Sequence, residues 1–233
     1  MRIDHPSRTV TERLPQGELE MQLPRSAELK AMVSKGFRNP TIREMFMFGT
    51  RNPDLRPEKL MNYEFSYSQR LLDNAFSYGL NVFYINGYNV IQTVNITGTD
   101  MNINTGKIEN WGAELQATYR INKAWHISAN YSWLRMVYPV VGAPEHKAYA
   151  GADYTNGKWD IGTGLQYLDG LYTSTDPKKK ENFLLWHIRG SYRLHPIAQL
   201  FISGENLLAQ RYEINAGYPM PKATVIGGIN LNF

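Results

Sequence analysis

Hydrophobic and polar side chains alternate along much of the chain with a period of two residues. Between positions 111 and 120 the odd-numbered residues are Trp, Ala, Leu, Ala and Tyr, and the even-numbered ones are Gly, Glu, Gln, Thr and Arg. Successive side chains of a strand point to opposite faces, so this pattern predicts a β-strand with one apolar and one polar face. Residues 125–133 repeat it, and residues 225–233 close the chain with the same alternation. The sequence therefore predicts an all-β protein.

Eleven strands are predicted in this way. They cover residues 17–23, 27–36, 58–71, 74–86, 107–121, 124–138, 145–155, 158–168, 182–194, 197–206 and 223–233. Many of these runs reach the length of about 9–11 residues that a tilted strand needs to cross a bilayer. A helical period is suggested by one short segment, where Pro40 precedes Thr41, Ile42, Met45 and Phe46. A short loop helix that begins at Pro40 is predicted there.

The connections between these strands alternate between short and long. Tight turns are predicted at 23–26, 71–74, 121–123, 155–157 and 194–196, and long links at 6–16, 37–57, 87–106, 138–144, 169–181 and 207–222. Outer-membrane barrels have short periplasmic turns and longer external loops. The pattern predicts a transmembrane, antiparallel, up-and-down β-barrel of about eleven strands. The alternative is a large soluble antiparallel barrel or sandwich, which need not sort its loops in this way.

Aromatic residues support the membrane interpretation. They make up 12% of the 233 residues, and no apolar window is long enough for a transmembrane helix. Rings with an apolar body and a polar edge favour both interfaces of a membrane. The Trp residues lie near one end of the predicted strands and the Tyr residues toward the other, at Trp111, Trp125, Trp159 and Trp186 and at Tyr119, Tyr154, Tyr167 and Tyr192.

Composition argues against several classes of function. Cysteine is absent and the net charge is only +4. Disulfides and thiol catalysis are therefore excluded, and the clustered basic stripe of a nucleic-acid-binding protein is not seen. His126 and His187 are predicted to face the lumen of the barrel, but no motif supplies a nucleophile beside them. We therefore predict no enzyme, no metal site and no cofactor.

Several motifs resemble those of one family, the TonB-dependent outer-membrane receptors. SKGFRNPT at 34–41 and NPDLRPE at 52–58 resemble its "GFRxPT" and "NPxLxPE" signatures. NTGKIENWGAE at 104–114 resembles its "N-x-G…x-G-x-E" strand, and GENLL at 204–208, followed by Arg211 and Tyr212, resembles its "x-N-L-x-x-x-x-Y" segment. The final run resembles the C-terminal signal of outer-membrane barrels. The signature residues, interpreted as structural, are Phe37, Arg38, Pro40, Asn52, Pro53, Leu55, Pro57, Glu58, Gly112, Glu114, Asn206, Leu207, Tyr212 and Phe233.

The resemblance implies a 22-stranded barrel filled by an N-terminal plug. Residues 1–233 are then expected to be the C-terminal part of the barrel, about half of its strands. The resemblance implies a place in the bacterial outer membrane and import of a scarce nutrient such as a ferric siderophore or cobalamin. The expected partners are membrane lipid, the N-terminal half of the receptor with its plug, TonB through that plug, the outer-membrane assembly machinery and the iron-chelate or cobalamin cargo, but no nucleic acid.

The start of the chain raises an alternative. No apolar stretch of signal-peptide length follows Met1, and no plug motif is recognised. An open half barrel would leave two strand edges unpaired in hydrocarbon, which is costly. The expectation is therefore a fragment, a truncated gene or half of a split receptor. The alternative is a small self-contained outer-membrane barrel that acts as a passive pore or a membrane enzyme.

The link 37–57 holds the candidate ligand-binding residues. Arg43 and Arg51 match the geometry of carboxylate and phosphate groups, and Met45 and Met47 form an apolar group with Phe46 and Phe48. A soft metal such as copper is one interpretation of the methionines, and a packed loop core is the other. No histidine lies between Pro40 and Asn52, which weakens a haem interpretation. The run Lys178–Lys180 is interpreted as a solvated loop tip or as a site attracted to lipopolysaccharide phosphates.

Overall fold

The computed structural model describes residues 15–47, 49–96 and 98–231. Its main element is an antiparallel sheet of eleven strands in the order β1-β2-β3-β4-β5-β6-β7-β8-β9-β10-β13. The strands are β1 (Gln16–Leu23), β2 (Ala27–Arg38), β3 (Glu58–Leu71), β4 (Phe76–Ile96), β5 (Thr99–Arg120), β6 (Trp125–Met136), β7 (His146–Asn156), β8 (Trp159–Thr175), β9 (Lys178–His195), β10 (Ala198–Glu205) and β13 (Thr224–Leu231). Helix α1 (Ile42–Phe46) lies between β2 and β3. A separate two-stranded ribbon of β11 (Glu213–Asn215) and β12 (Tyr218–Pro219) lies between β10 and β13.

The eleven predicted strands are confirmed, but four of them extend well beyond their predicted bounds. Strands β4 and β5 continue through the predicted long link at 87–106, and β8 and β9 continue through the link at 169–181. The extended part of β4 is rich in β-branched residues, which favour strands. It also contains Gly87, Asn89 and Asn95, whose residue types are depleted in strands.

Contacts divide the described residues into two units. The first comprises residues 15–18, 32–63 and 85–108, and it includes α1. The second comprises residues 19–31, 64–84 and 109–231. Strands β1 to β5 contribute residues to both.

In the second unit the strand register pairs like with like. Leu115 of β5 lies opposite Tyr131 of β6, and Gln116 lies opposite Asn130. The polar set continues across β7 to β9, where Asp153 and Arg189 form an ion pair of 2.7 Å. The alternation read from the sequence therefore corresponds to an apolar and a polar face of this unit.

The polar face also packs aromatic rings over glycines. Tyr149 of β7 stacks with His187 of β9, with ring centroids 6.5 Å apart and planes 17° apart. A Cβ added at Gly164 of the intervening β8 would lie 2.7 Å from the Tyr149 ring. Glycine is required there because the ring takes the place of a side chain.

The large apolar side chains that the second unit buries most deeply lie near the hairpin that joins β8 and β9. Leu171 is 2% exposed and Phe183 is 4% exposed. The Phe183 ring packs on Tyr212 at a centroid distance of 4.2 Å. In the part of the chain that the structure describes, no helix has the length and apolar character needed to cross a membrane.

Candidate functional site

Helix α1 of the first unit begins with a capping box. The Thr41 hydroxyl accepts a hydrogen bond from the Glu44 backbone N–H at 3.2 Å, and the Glu44 carboxylate accepts one from the Thr41 N–H at 2.8 Å. This reciprocal pair satisfies two backbone donors that a helix start leaves without partners. The predicted loop helix is thus confirmed, but its cap is Thr41 and not Pro40, because only the threonine side chain can accept the Glu44 hydrogen bond.

Arg38 ties this helix to the sheet. Its guanidinium donates two hydrogen bonds to Glu58 at the start of β3, at 2.6 and 2.7 Å, and two to Glu44, both at 2.9 Å. Glu58 also accepts a hydrogen bond from the Ile91 N–H of β4 at 2.9 Å. Planar guanidinium groups match carboxylates in this bidentate way. The two signature motifs are therefore joined through one cation.

These hydrogen bonds shift the titration of all three groups. Bonding to Arg38 lowers the pKa of Glu44 from 4.5 to about 2. The same cause lowers the pKa of Glu58, and the two carboxylates raise the pKa of Arg38. Each shift favours the charged form, so the cluster is held ionised at neutral pH.

Asparagine side chains hold the rest of the loop on β5. The Asn52 amide donates to the backbone oxygen of Asn102 at 2.8 Å, and the Asn102 amide donates to the backbone oxygen of Glu44 at 2.8 Å. Asn104 bonds the backbone of Arg56 through both its oxygen and its nitrogen, at 2.7 and 2.9 Å. Asn102 and Asn104 are two positions apart on β5, so their side chains lie on the same face of this strand. The loop therefore packs against that face.

The side of α1 turned away from these anchors is exposed. Ile42 is 71% exposed, Phe46 41% and Met47 72%. The Arg51 guanidinium lies 4.7 Å from the centroid of the Phe46 ring, a cation–π contact. We call Ile42, Phe46, Met47 and Arg51 the α1 face.

The structure separates the predicted ligand-binding candidates. Met47 and Arg51 lie on the α1 face, and Arg43 is exposed on the same helix. Met45 is half-buried, and its backbone oxygen accepts a hydrogen bond from the Asn52 N–H. The role of these residues in ligand binding stays a prediction. The sequence did not identify Ile42 or Asn102 as site residues, since neither belongs to a motif.

The other signature residues of the loop have packing positions. Leu55 is 8% exposed, Phe37, Pro40 and Pro57 are half-buried, and Pro53 is exposed. Gly112 is buried, and a Cβ added there would lie 2.6 Å from the Phe83 ring, whereas Glu114 is exposed on the polar face.

Asn206 organises the loop that follows β10. Its side-chain nitrogen donates to the backbone oxygens of Gln210 and Pro221, at 2.9 and 3.0 Å, and its oxygen accepts from the Gln210 N–H at 3.0 Å. Leu207 donates its N–H to the Trp186 oxygen at 2.9 Å, and Tyr212 packs on Phe183. These contacts give the GENLL motif at 204–208 a structural role. Phe233 lies outside the described residues.

The lysine run lies at the tip of the β8–β9 hairpin. Lys180 forms an ion pair of 2.8 Å with Glu145 and lies 4.6 Å from the centroid of the Tyr172 ring. The hydrogen bond between Lys180 and Glu145 lowers the pKa of Glu145 and raises the pKa of Lys180. Lys178 and Lys179 are exposed. Their attraction to lipopolysaccharide phosphates stays a prediction.

Within residues 15–47, 49–96 and 98–231 the structure forms no group of three or more His, Cys, Asp or Glu side chains that could hold a metal ion. His126 lies opposite Asp153, and His187 stacks on Tyr149. Both histidines are therefore placed on the polar face, where they were predicted.

The meander of antiparallel strands and the long β4–β5 and β8–β9 hairpins define the class of β-barrel proteins to which this sheet belongs. A family model described as "TonB dependent receptor-like, beta-barrel" matches residues 2–207. The chain belongs to the TonB-dependent receptor family, as its motifs indicated. A search of curated protein sequences found no match.

Solved structures with the same fold are receptors and transporters. A variant of the ferric enterobactin receptor PfeA from Pseudomonas aeruginosa, in complex with enterobactin, is 16% identical with a TM-score of 0.78 over 94% of this chain and 40% of its own. The ferric-catecholate import receptor Fiu from E. coli K12 is 16% identical, with a TM-score of 0.72 over 94% of this chain and 34% of its own. The copper transporter OprC is 18% identical, with a TM-score of 0.75 over 93% of this chain and 39% of its own. The chain thus spans between 34% and 40% of the length of these structures.

Proposed function

We propose that this chain is the C-terminal part of the barrel of a receptor that imports a scarce nutrient across the bacterial outer membrane. Family membership over residues 2–207 supports this proposal. The observation that carries it is the loop between β2 and β3. This loop is anchored by Arg38, Asn52 and Asn102, and its cationic and apolar side chains are exposed. A rigid loop with an exposed mixed surface is suited to hold a ligand.

The partners follow from the proposed transport. The remaining strands of the barrel and a plug domain seal the lumen, and TonB moves the plug. The outer-membrane assembly machinery inserts the barrel, and lipid surrounds its apolar face. Residues 1–233 act as part of the barrel domain in this proposal.

We favour a ferric siderophore as the cargo and keep cobalamin as the second candidate. Two of the structurally similar proteins are a ferric-catecholate import receptor and a ferric enterobactin receptor. The four arginines and one lysine between 38 and 59 outnumber the three acidic residues there, which favours an anionic chelate.

Uptake by cells tests the proposal. The receptor that carries this sequence is deleted, and uptake of radioactive iron from siderophores and of radioactive cobalamin is compared with that of the parent strain, with and without TonB. We expect loss of TonB-dependent iron uptake on deletion and its return on complementation. Unchanged iron uptake with lost cobalamin uptake would reverse the choice of cargo. Unchanged uptake of both would contradict the proposed function.

A further inference from the structure

The apolar face of the second unit carries a cation near the end of β6. Arg135 lies opposite Trp111 of β5, and its guanidinium carbon is 5.6 Å from the centroid of the Trp111 ring, a cation–π contact. The Trp111 ring also contacts Tyr84 of β4, with ring centroids 6.4 Å apart. We call Tyr84, Trp111 and Arg135 the Arg135 cluster.

The same face of β6 is uncharged over most of its length. Its side chains, two positions apart, are Trp125, Ile127, Ala129 and Tyr131. The residues paired with them on β5 and β7 are also uncharged. Such a band is typical of the part of a transmembrane barrel that meets hydrocarbon.

Arg135 lies at the outer limit of this band. Positions 125 and 135 are ten residues apart, which corresponds to about 34 Å along a strand and, at the usual tilt, to about 25 Å across the membrane. The apolar band of outer-membrane barrels is about 25 Å tall. The long link 137–145 follows β6, whereas the short turn 121–124 precedes it. In the proposed barrel Arg135 is therefore at the external boundary of the membrane.

Completion of the barrel leaves this face uncovered. Strands β5 and β6 are interior strands of the sheet, with β4 and β7 on either side. Further strands continue the sheet beyond its edges at β1 and β13, and a plug lies inside the lumen, on the polar face. Neither of them packs on the opposite face of β6, which meets the lipid.

The charge of Arg135 has no carboxylate partner. The Glu109 carboxylate accepts a hydrogen bond from the Tyr84 hydroxyl at 3.5 Å, and Glu145, whose backbone oxygen binds the Leu134 N–H, forms its ion pair with Lys180. Within residues 15–47, 49–96 and 98–231 Arg135 itself forms no ion pair. Its N–H donors are thus left for an acceptor outside the described chain.

We propose that the Arg135 cluster binds a phosphate group of lipid A, the lipid part of the lipopolysaccharide that forms the outer leaflet of the outer membrane. The planar guanidinium matches phosphate oxygens, and the rings of Trp111 and Tyr84 suit the boundary between sugar and acyl chains. This inference rests on the place in the outer membrane that the proposed function gives the chain. It adds a lipid site that is separate from the cargo loop.

Binding of lipid A to the complete receptor that carries this sequence tests the inference. The receptor is purified in detergent, and Kd values are measured by native mass spectrometry for lipid A, for lipid A without its phosphates and for phosphatidylglycerol. The variants are Arg135→Gln, Arg135→Lys and Trp111→Leu. Arg193→Gln is the matched control, since it removes an exposed arginine next to the short turn between β9 and β10.

We expect Arg135→Gln to weaken binding of lipid A by about tenfold, the equivalent of one charged contact. Removal of the lipid phosphates is expected to weaken binding to the native receptor by a similar factor, and Arg135→Gln should bind both forms alike. Arg135→Lys keeps the charge and is expected to lose about threefold, and Trp111→Leu the same, because leucine lacks the ring face under the cation. Arg193→Gln should stay within about twofold of the native Kd. Heat-modifiable mobility separates a folding defect from a binding defect.

Equal affinity of the native receptor for the two forms of lipid A would overturn the inference without any variant. Equal affinity of Arg135→Gln and the control would also overturn it, and so would binding of phosphatidylglycerol that is as tight as that of lipid A. The measurement does not depend on import. Unchanged iron and cobalamin uptake on deletion, together with lipid A binding that needs Arg135 and phosphate, would contradict the proposed import and leave this inference standing.

Discussion

The guanidinium of Arg38 binds the carboxylate of Glu58 through two hydrogen bonds, Nε to Oε2 at 2.6 Å and Nη2 to Oε1 at 2.7 Å. The two residues are twenty positions apart and belong to different motifs. The same guanidinium holds Glu44, so the end of β2, the start of β3 and helix α1 meet at one group. This relationship gives the arginine of the first motif and the glutamate of the second a structural role.

Removal of this arginine is expected to loosen the loop and leave the sheet intact. Arg38→Gln deletes both ion pairs and is expected to reduce the local stability of residues 39–57 by about 1–2 kcal/mol, since the side chain is partly exposed. Hydrogen exchange of the α1 amides measures the change. Arg51→Gln, on the opposite side of α1, is the control and should leave exchange unchanged. Equal protection in Arg38→Gln and the native protein would contradict the anchoring role.

The same cluster gives the loop a defined dependence on pH. The pKa of Glu44 is lowered from 4.5 to about 2, so its contribution to stability is fully present above pH 4.5. That contribution is lost as the pH falls from 4.5 toward 2, because the carboxylate then binds a proton in the unfolded loop before it does so in the folded one. Carboxyl carbon NMR of Glu44 measures the titration directly. A midpoint near 4.5 in the native protein, equal to that in Arg38→Gln, would contradict the ion pair.

The two faces of β5 should respond differently to a charge. Leu115 and Gln116 are neighbours in sequence but lie opposite Tyr131 and Asn130, respectively. An arginine on the lipid face near mid-membrane costs about 2–4 kcal/mol. Leu115→Arg is therefore expected to impair barrel assembly, measured by heat-modifiable mobility, much more than Gln116→Arg. Similar assembly of the two variants would argue for a soluble sheet.

Glycines under aromatic rings should tolerate no side chain. Gly164→Ala places a Cβ 2.7 Å from the Tyr149 ring and is expected to destabilise the sheet by about 1–3 kcal/mol, because the ring must move. The matched control is Gly190→Ala, whose Cβ meets Ile202 at an ordinary 3.5 Å. Urea unfolding in detergent gives both free energies. If Gly190→Ala costs as much as Gly164→Ala, the ring is not the cause.

The alternation of short and long connections predicts which loops face the outside of the cell. Single cysteines are introduced in seven of the connections, and whole cells are treated with a membrane-impermeant maleimide. Labelling from outside is expected at positions 50, 98, 142 and 175, and protection is expected at positions 73, 122 and 156. Labelling of residues from both sets would show that the strands do not cross the membrane in this order.

The strands and their faces could be read from the sequence because both depend on local information. Side chains two positions apart lie on the same face of any strand, so the alternation around Leu115 and Gln116 was sufficient to predict the faces that the register later paired. The loop helix was predictable for a similar reason, since a capping box spans only the four residues from Thr41 to Glu44. The motifs around Arg38 and Glu58 indicated the TonB-dependent receptor family.

The anchored loop could not be read in the same way. Asn52 and Asn102 are fifty positions apart, and their contact exists only because the loop folds onto a β5 that extends further than predicted. The alternation of apolar and polar side chains weakens in the extended part of β5. Backbone hydrogen bonds between neighbouring strands and asparagine side chains stabilise the strands there. Whether Phe46 or Met45 is exposed depends on which side of α1 meets those asparagines. The tertiary packing decides this, because a five-residue helix shows the same sequence whichever side is buried.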